Sequence, residues 1–187
     1  RVFTFTGGAE TITVTDGTAA DGKTMIDSTL GESVYFTNPT GSVTINAGTG
    51  ADTVTITSVD AAYNASLTIN GDAGDDTVNL NSSITFASGK NLDVNLSNDA
   101  TGGDVDVIVT SGAVIATSGT GTINLQSSGK VLVNTASTLS TVNGGITLAG
   151  NAAGTTNGNF RGLQVANNSI VRTTGTGNLS LTGKGGT

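Results

Sequence analysis

The segment Ala47-Gly48-Thr49-Gly50-Ala51-Asp52-Thr53-Val54-Thr55-Ile56 is followed, 24 residues further along, by Gly71-Asp72-Ala73-Gly74-Asp75-Asp76-Thr77-Val78-Asn79-Leu80. In both segments a glycine-rich turn leads to an aspartate and then to a short strand in which apolar and polar residues alternate. Gly50 aligns with Gly74, and Asp52 aligns with Asp76. A turn-and-strand unit that recurs at about one coil's length predicts a β-solenoid, whose successive coils stack in register.

Apolar residues separated by one polar residue recur along the whole chain and predict fifteen short strands. The segments between these pairs are rich in Gly, Asn, Asp, Ser and Thr, which are typical of turns. Residues 59–66 could form one short helical turn or a longer loop. The predicted strands are 2–5, 12–14, 34–36, 43–45, 54–56, 67–69, 78–80, 84–86, 92–96, 105–109, 123–125, 131–133, 146–148, 163–165 and 179–181.

Many short strands are typical both of an antiparallel sandwich or barrel and of a parallel β-helix. Asp-Gly and Asn-Gly pairs, which mark tight hairpins, are few and do not alternate with the predicted strands. Thr and Asn are abundant where like residues of successive coils could stack and hydrogen-bond. We therefore predict an all-β fold, a right-handed parallel β-helix (β-solenoid) with about eight coils of roughly 20–28 residues, in which residues 1–187 form a single domain.

Acidic residues precede several predicted strands at intervals near one coil. Glu10, Glu32, Asp52, Asp76 and Asp104 are separated by 22, 20, 24 and 28 residues. This spacing predicts a column of turn acids, one in each coil. The sequence shows no obvious cap for the first or the last coil, so it predicts a segment of a longer protein or ends covered by neighbouring subunits.

Charge is distributed unevenly along the chain, whose net charge is −7. Residues 1–106 hold all 14 acids and three bases, a net charge of −11, whereas residues 107–187 hold four bases and no acid, a net charge of +4. This asymmetry has no role, or it indicates a dipolar rod whose ends attract, or an acidic half that cations neutralise. The bases are too sparse for a nucleic-acid-binding surface.

Several residue types that support chemistry are absent. The 187 residues include no Cys and no His, which excludes disulfides, thiolate metal sites and the usual nucleophilic triads. We therefore predict that the chain is not an enzyme. No run approaches 18 apolar residues, so the sequence predicts no membrane-spanning segment.

The two turn segments resemble the nonapeptide G-G-x-G-x-D-x-U-x of RTX proteins, which are secreted calcium-binding repeat proteins. Residues 71–79 match it with Asp72 in place of the second Gly, and residues 47–55 match it with Ala47 in place of the first. RTX repeats run back to back, whereas these copies occur once per coil. The resemblance implies calcium as the cofactor, and its candidate ligands are Asp52, Asp76, Asp72, Asp75 and Asp104. Alternatively, Asp52 and Asp76 accept hydrogen bonds from backbone N–H groups of the turns.

A wider resemblance covers most of residues 105–187. Gly121-Thr122-Ile123-Asn124-Leu125, Gly144-Gly145-Ile146-Thr147-Leu148-Ala149-Gly150 and Gly177-Asn178-Leu179-Ser180-Leu181-Thr182-Gly183 are similar to the strand-turn units of filamentous-haemagglutinin-like and autotransporter-like surface β-helices. This resemblance implies a bacterial protein that is extracellular or at the cell surface, acting as a stalk, filament, adhesin or matrix segment.

The uncapped coil ends predict one kind of partner, and the surface-protein resemblance implies another. They are other copies of the chain or flanking repeats, which would stack on the ends of the coils, and a cell-surface glycan or host receptor. A calcium-binding surface-layer or RTX-like module is the alternative function. A polysaccharide-active β-helix enzyme and a Thr-rich ice-binding solenoid are further alternatives.

Overall fold

A computed structural model describes residues 1–97 and 106–186, and within these ranges the chain forms strands and turns without a helix. None of the described segments could therefore cross a membrane as a helix. The strands are β1 (Val2–Thr4), β2 (Thr11–Thr15), β3 (Lys23–Ser28), β4 (Val34–Thr37), β5 (Ser42–Asn46), β6 (Thr53–Ile56), β7 (Ser66–Asn70), β8 (Thr77–Leu80), β9 (Ile84–Ser88), β10 (Leu92–Leu96), β11 (Val107–Val109), β12 (Val114–Ser118), β13 (Ile123–Ser127), β14 (Val131–Val133), β15 (Thr138–Thr141), β16 (Ile146–Gly150), β17 (Leu163–Val165), β18 (Ile170–Thr173) and β19 (Leu179–Gly183).

The strands form three sheets, and all strand pairs are parallel except those within β2–β4. The first sheet has the order β1-β5-β7-β10-β13-β16-β19, the second has the order β17-β14-β11-β8-β6-β2-β3-β4, and the third has the order β18-β15-β12-β9. From β7 onward the chain visits the three sheets in turn and then returns to the first. We call each passage from one strand of the first sheet to the next a circuit, so the first circuit runs from β1 to β5 and the second from β5 to β7. The prediction of an all-β, mostly parallel fold is confirmed, and the arrangement is consistent with a β-solenoid.

Register is kept from one circuit to the next in the first sheet. Its pairs align Val43 with Leu67, Leu67 with Leu92, Leu92 with Ile123, Ile123 with Ile146, and Ile146 with Leu179. The steps are therefore 24, 25, 31, 23 and 33 residues, and the 33-residue step contains a long loop between β16 and β17. Seven strands occupy this sheet, so the described residues form fewer than the eight coils expected.

Every second residue of a strand faces inward, and these inward-facing side chains form the core. Ile45, Ile69, Val94, Leu125 and Leu148 follow one another in register through the first sheet, and each is fully buried. Each such side chain stabilises the fold by about 1.5–3 kcal/mol through removal of apolar surface from water. A thin column of this kind explains how a chain with only 35% hydrophobic residues forms a continuous core.

Stacked glycines form the turn between the third and the first sheets. A Cβ atom on Gly144 would overlap the carbonyl oxygen of Gly121, and one on Gly177 would overlap the carbonyl oxygen of Gly144. Close approach of successive backbones therefore requires glycine at these positions. This packing is the physical basis of the glycine that opens each of the three G-x-I-x-L units of residues 121–183.

An antiparallel meander at the N-terminal end departs from the predicted parallel order. β3 pairs with β2 and with β4 in antiparallel register. The ring centroids of Phe36 in β4 and Phe3 in β1 are 5.0 Å apart. Phe36 and Ile26 are buried and belong to the core. The meander therefore packs over part of the core beside β1, and the lack of a cap on the first coil stays a prediction. Asp16-Gly17 and Asp21-Gly22 lie in the loop between β2 and β3, so these two dipeptides do mark a hairpin.

Each of the fifteen predicted segments overlaps a strand, although residue 105 lies outside the described ranges. Four strands have no predicted counterpart: β3, β12, β15 and β18. Residues 57–65 contain a turn between Asp60 and Tyr63 and otherwise form a loop.

Candidate functional site

A ladder of buried carboxylates runs along the turn between the first and second sheets. The Asp52 carboxylate accepts a hydrogen bond from the backbone N–H of Glu10 at 2.8 Å, and the Asp76 carboxylate accepts one from the N–H of Asp52 at 2.8 Å. The Glu10 carboxylate in turn accepts a hydrogen bond from the hydroxyl of Ser28 in β3. Each aspartate thus bonds to the backbone of the acid in the preceding circuit, and we call these three residues the acid ladder.

Glycines let the backbone approach closely enough to form this ladder. Gly50 and Gly74 have φ values of 123° and 157°, which side-chain-bearing residues rarely adopt. A Cβ atom on Gly50 would lie 2.5 Å from the backbone nitrogen of Ala9, and one on Gly74 would overlap the carbonyl oxygen of Gly50. Three residues before Asp52 and Asp76, Thr49 and Ala73 form an isolated parallel bridge. The repeated glycine and the repeated aspartate of the sequence are therefore parts of one stacked turn.

Burial dominates the electrostatics of the ladder. Asp52 and Asp76 are 1% and 2% exposed. Burial raises the pKa of Asp52; the hydrogen bond from the Glu10 N–H lowers this pKa, and the charge of Glu10 raises it. The second carboxylate oxygen of Asp52, Oδ2, has no hydrogen-bond partner among the described residues. Burial therefore makes Asp52 easier to protonate than an exposed aspartate.

Asp106 is a buried acid that lies outside the predicted acid column. It is 1% exposed and accepts hydrogen bonds from the Ser127 hydroxyl and, at 2.7 Å, from the backbone N–H of Gly129. Burial raises the pKa of Asp106, these two hydrogen bonds lower it, and the charge of Asp75 raises it. Asp106 lies one residue before β11, just as Asp76 lies one residue before β8. This shared position in the sequence could have predicted Asp106 as a further turn acid.

Asp72 and Asp75, the other predicted site residues that the structure describes, do not join the ladder. Asp72 and Asp75 are exposed, and Asp72 has a φ of 72° at the tip of its turn. Asp104 lies outside the described residues. Glu32 is exposed in the loop between β3 and β4, so its predicted place in the acid column is wrong. The column skips this position because the antiparallel meander lengthens the first circuit.

A second group of acids forms where the hairpin loop meets the loop after β6. Carboxylate oxygens of Asp16, Asp21 and Asp60 lie within 4.8 Å of one another. Burial raises the pKa of Asp16, and the neighbouring Asp60 and then Asp21 raise it further. Sequence reasoning missed this group because the parallel pairing of β2 with β6 brings together residues far apart in the chain.

Asp60 already uses its carboxylate to hold the meander in place. It is 2% exposed and accepts hydrogen bonds from the backbone N–H of Ala62 at 2.7 Å, the Asn38 side chain at 3.1 Å and the backbone N–H of Gly22 at 3.3 Å. These bonds join the loop after β6 to the residues just before β3 and just after β4, which lie side by side at the open end of the hairpin. The arrangement therefore fastens the meander to the second circuit.

A groove of about 250 Å³ lies beside the turns that follow β10, β13 and β16. Its lining is neutral and consists of Ser97, Gln126, Ser127, Ser128, Ala149, Asn151, Ala152, Ala153 and Thr155. Side chains of these types can donate and accept hydrogen bonds but supply no general acid or base of suitable pKa.

Comparisons of this chain with models of known protein families, with curated proteins and with solved structures found no match.

Proposed function

We propose that this chain is a non-enzymatic structural segment of a bacterial extracellular or cell-surface protein, and that its circuits wind as a right-handed parallel β-helix. Parallel strands joined through a crossover in the same sheet are right-handed in about 98% of cases, which supports this handedness. As a stalk, filament, adhesin or matrix segment, its partners would be further solenoid segments, a cell-surface glycan or a host receptor.

The use of polar side chains along the stack supports this proposal most directly. The Asn70 side chain donates a hydrogen bond to Asn46 of the preceding circuit at 2.8 Å, and Asn124 donates one to Asp93 at 2.8 Å. The acid ladder likewise joins one circuit to the next. An active site would instead direct carboxylates and a base toward a common point where a substrate could bind. The Asn side chains and the acid ladder instead form hydrogen bonds between successive circuits and so stabilise the stack.

The location of the protein tests the structural proposal. Antibodies against the purified chain should label intact, unpermeabilised cells of the bacterium that produces it, and external protease should remove the label. A cytoplasmic marker protein, probed in the same cells, should remain protected. Labelling that requires permeabilisation would contradict the proposal.

Calcium binding is a second candidate function, which the RTX-like turns imply. One observation favours it, because the Oδ2 atom of buried Asp52 has no hydrogen-bond partner among the described residues. A hard cation prefers carboxylate oxygens, and a ligand that binds only the folded state raises the unfolding midpoint. Calcium should then raise the thermal midpoint of the wild type and leave that of Asp52→Asn unchanged. Equal midpoints with and without calcium would contradict this candidate.

A further inference from the structure

The groove beside the turns after β10, β13 and β16 combines several features of a binding site. It has a volume of about 250 Å³, and none of the described residues that line it is charged. The other lining residues are alanines, but six carry a hydroxyl or an amide group: Ser97, Gln126, Ser127, Ser128, Asn151 and Thr155. A concave site in which a few polar groups lie among apolar ones is typical of small-molecule binding.

One wall of the groove belongs to the long loop between β16 and β17. This loop, residues 151–162, contains no strand, whereas the equivalent connection one circuit earlier consists of residues 128–130 alone. The additional residues include Ala152, Ala153 and Thr155, which line the groove. Long loops without secondary structure of their own commonly carry function, so this wall is more than a connection between two strands.

Two buried residues hold this wall in place. The Asn151 side chain, which is 2% exposed, accepts a hydrogen bond from the backbone N–H of Thr156 at 3.2 Å. The Thr156 hydroxyl donates one to the Ser128 carbonyl at 2.7 Å, and the backbone N–H of Asn151 donates one to the Ser127 carbonyl at 3.0 Å. Residues 152–155 lie between these two anchors. The wall is therefore positioned before a ligand binds, which reduces the entropic cost of binding.

The turns and strand ends beside this wall offer polar atoms to a ligand. The Oγ atom of Ser128 is buried and has no hydrogen-bond partner among the described residues. The Gln126 amide donates a hydrogen bond to Asn124 at 2.9 Å, and its oxygen can accept another. The Ser97 hydroxyl donates to Asn95 at 2.6 Å, and its oxygen can likewise accept. These groups suit a ligand that both donates and accepts hydrogen bonds.

The lining also excludes several classes of ligand. An anion or a cation would lose its hydration without gaining an opposite charge. An entirely apolar ligand would leave the polar groups of the groove unpaired. An extended peptide would need a free strand edge, and β10, β13 and β16 are each paired on both sides. A neutral sugar meets these conditions, because its hydroxyls donate and accept hydrogen bonds and its C–H groups can contact the alanine methyl groups.

We propose that this groove binds one ring of a neutral saccharide. The inference rests on the structural surface role proposed above and gives the glycan partner of that role a site. Ser97, Gln126 and Ser128 hydrogen-bond to the sugar hydroxyls, while the alanine methyl groups pack against the ring. The volume of about 250 Å³ is below the roughly 300–1,000 Å³ of sites for drug-sized ligands, which suits a single ring. The Kd for one free sugar should be on the order of 1 mM, since so few atoms make contact.

Saturation-transfer NMR, which detects weak binding, tests the proposal with neutral probes. The probes are the methyl glycosides of glucose, galactose, mannose and N-acetylglucosamine. At least one of them should give a signal with the wild type. The uronic acid and the amino sugar of the same ring should give weaker signals, because the groove supplies no opposite charge.

Two variants of β16 locate the binding. Ala149→Tyr fills the groove and should reduce the signal of the bound probe at least about fivefold, a loss of about 1 kcal/mol in binding. Thr147→Tyr is the matched control, because it adds the same side chain to the same outward face of β16 at a position that does not line the groove. It should keep the wild-type signal.

Other results would overturn the proposal. Four silent neutral probes would show that the groove does not take a sugar ring. An undiminished signal with Ala149→Tyr would place binding elsewhere, and a stronger signal from a charged counterpart would contradict a neutral ligand. Circular dichroism confirms that the variants fold, and Ala152→Tyr, at an exposed position of the groove, replaces Ala149→Tyr if that variant does not fold. Surface labelling of cells can succeed when no sugar binds, so the two proposals can fail separately.

Discussion

The Asp76 carboxylate accepts a hydrogen bond from the backbone N–H of Asp52, 24 residues earlier in the chain, at 2.8 Å. Asp52 repeats this relationship with the N–H of Glu10. At these positions a side chain takes the place that a backbone carbonyl occupies elsewhere in a parallel sheet. The acid ladder is therefore a means of pairing circuits at a turn, where the backbone alone departs from strand geometry.

Replacement of Asp52 by Ala should destabilise the protein. The change leaves the buried N–H of Glu10 without its acceptor, which costs about 1–3 kcal/mol. Urea unfolding at neutral pH, followed by circular dichroism, measures this loss. The matched control is Asp75→Ala, which removes an exposed acid of the same repeat and should change stability by less than about 0.5 kcal/mol. Equal effects of the two substitutions would contradict a structural role for the ladder.

Stability should increase as the pH falls from neutral toward mildly acidic values. Burial raises the pKa of Asp52 and Asp106 above the ordinary value of 3.8, so the folded state binds protons more readily than the unfolded state. Stability from these groups is fully present below 3.8 and is lost as the pH rises through their folded-state pKa values. Urea midpoints measured across this pH range should therefore decline with increasing pH.

A pair of double variants separates this effect from general charge repulsion. Asp52→Asn with Asp106→Asn removes the two buried acids and should flatten the pH dependence. Glu32→Gln with Asp72→Asn changes the net charge equally at exposed positions and should leave the slope intact. If both pairs flatten it equally, net charge rather than burial controls stability.

Replacement of Gly144 by Ala should disrupt the glycine stack. The added methyl group would overlap the carbonyl oxygen of Gly121, so the circuits must separate locally, at a cost of about 1–3 kcal/mol or more. Gly41→Ala is the control, since a methyl group there meets no neighbouring atom within 4 Å. Thermal unfolding of both variants gives the comparison. A midpoint for Gly144→Ala that equals that of Gly41→Ala would refute the stacking argument.

Replacement of Thr141 by Val should lower the stability of the protein, because it removes an inward-facing hydroxyl group. The Thr141 hydroxyl donates a hydrogen bond to the Gly144 carbonyl at 2.6 Å, and Thr117 bonds to Gly121 at the same distance one circuit earlier. Val has a similar shape but leaves the carbonyl unpaired, at a cost of about 1–3 kcal/mol. Thr141→Ser keeps the hydroxyl and should lose less stability in urea unfolding. Greater loss for Ser than for Val would indicate that packing, not the hydrogen bond, matters.

Every strand of the first sheet and every strand of the second except β3 was predicted from the sequence, whereas β9 was the one strand of the third sheet that was predicted. Strands of the first sheet place two apolar residues inward, such as Ile123 and Leu125. In the third sheet the inward pairs are Ile115 with Thr117 and Leu139 with Thr141, because Thr bonds to a turn carbonyl. The alternation of apolar and polar residues that predicts a strand is therefore missing in β12 and β15. β3 escaped prediction for the same reason, since Thr24 and Ser28 face inward beside Ile26.

The acidic site was partly predictable. The spacing of Asp52 and Asp76 indicated that the two turns stack, and Asp76 does bond to Asp52. The grouping of Asp16 with Asp60 depends on the pairing of β2 with β6 and on the hairpin loop, which no local pattern contains. Calcium at these turns stays a prediction.

The antiparallel meander has a consequence for folding kinetics. Its pairs join residues close in sequence, such as Thr15 with Met25, whereas the parallel pairs of the first sheet join residues at least 23 positions apart. Closing a short hairpin takes about 1–10 μs, and longer loops carry a larger entropic cost. We expect the meander to form first and to serve as a template on which later circuits add in sequence order. Pulsed hydrogen exchange during refolding should protect the amides of β2 and β3 before those of β16 and β19.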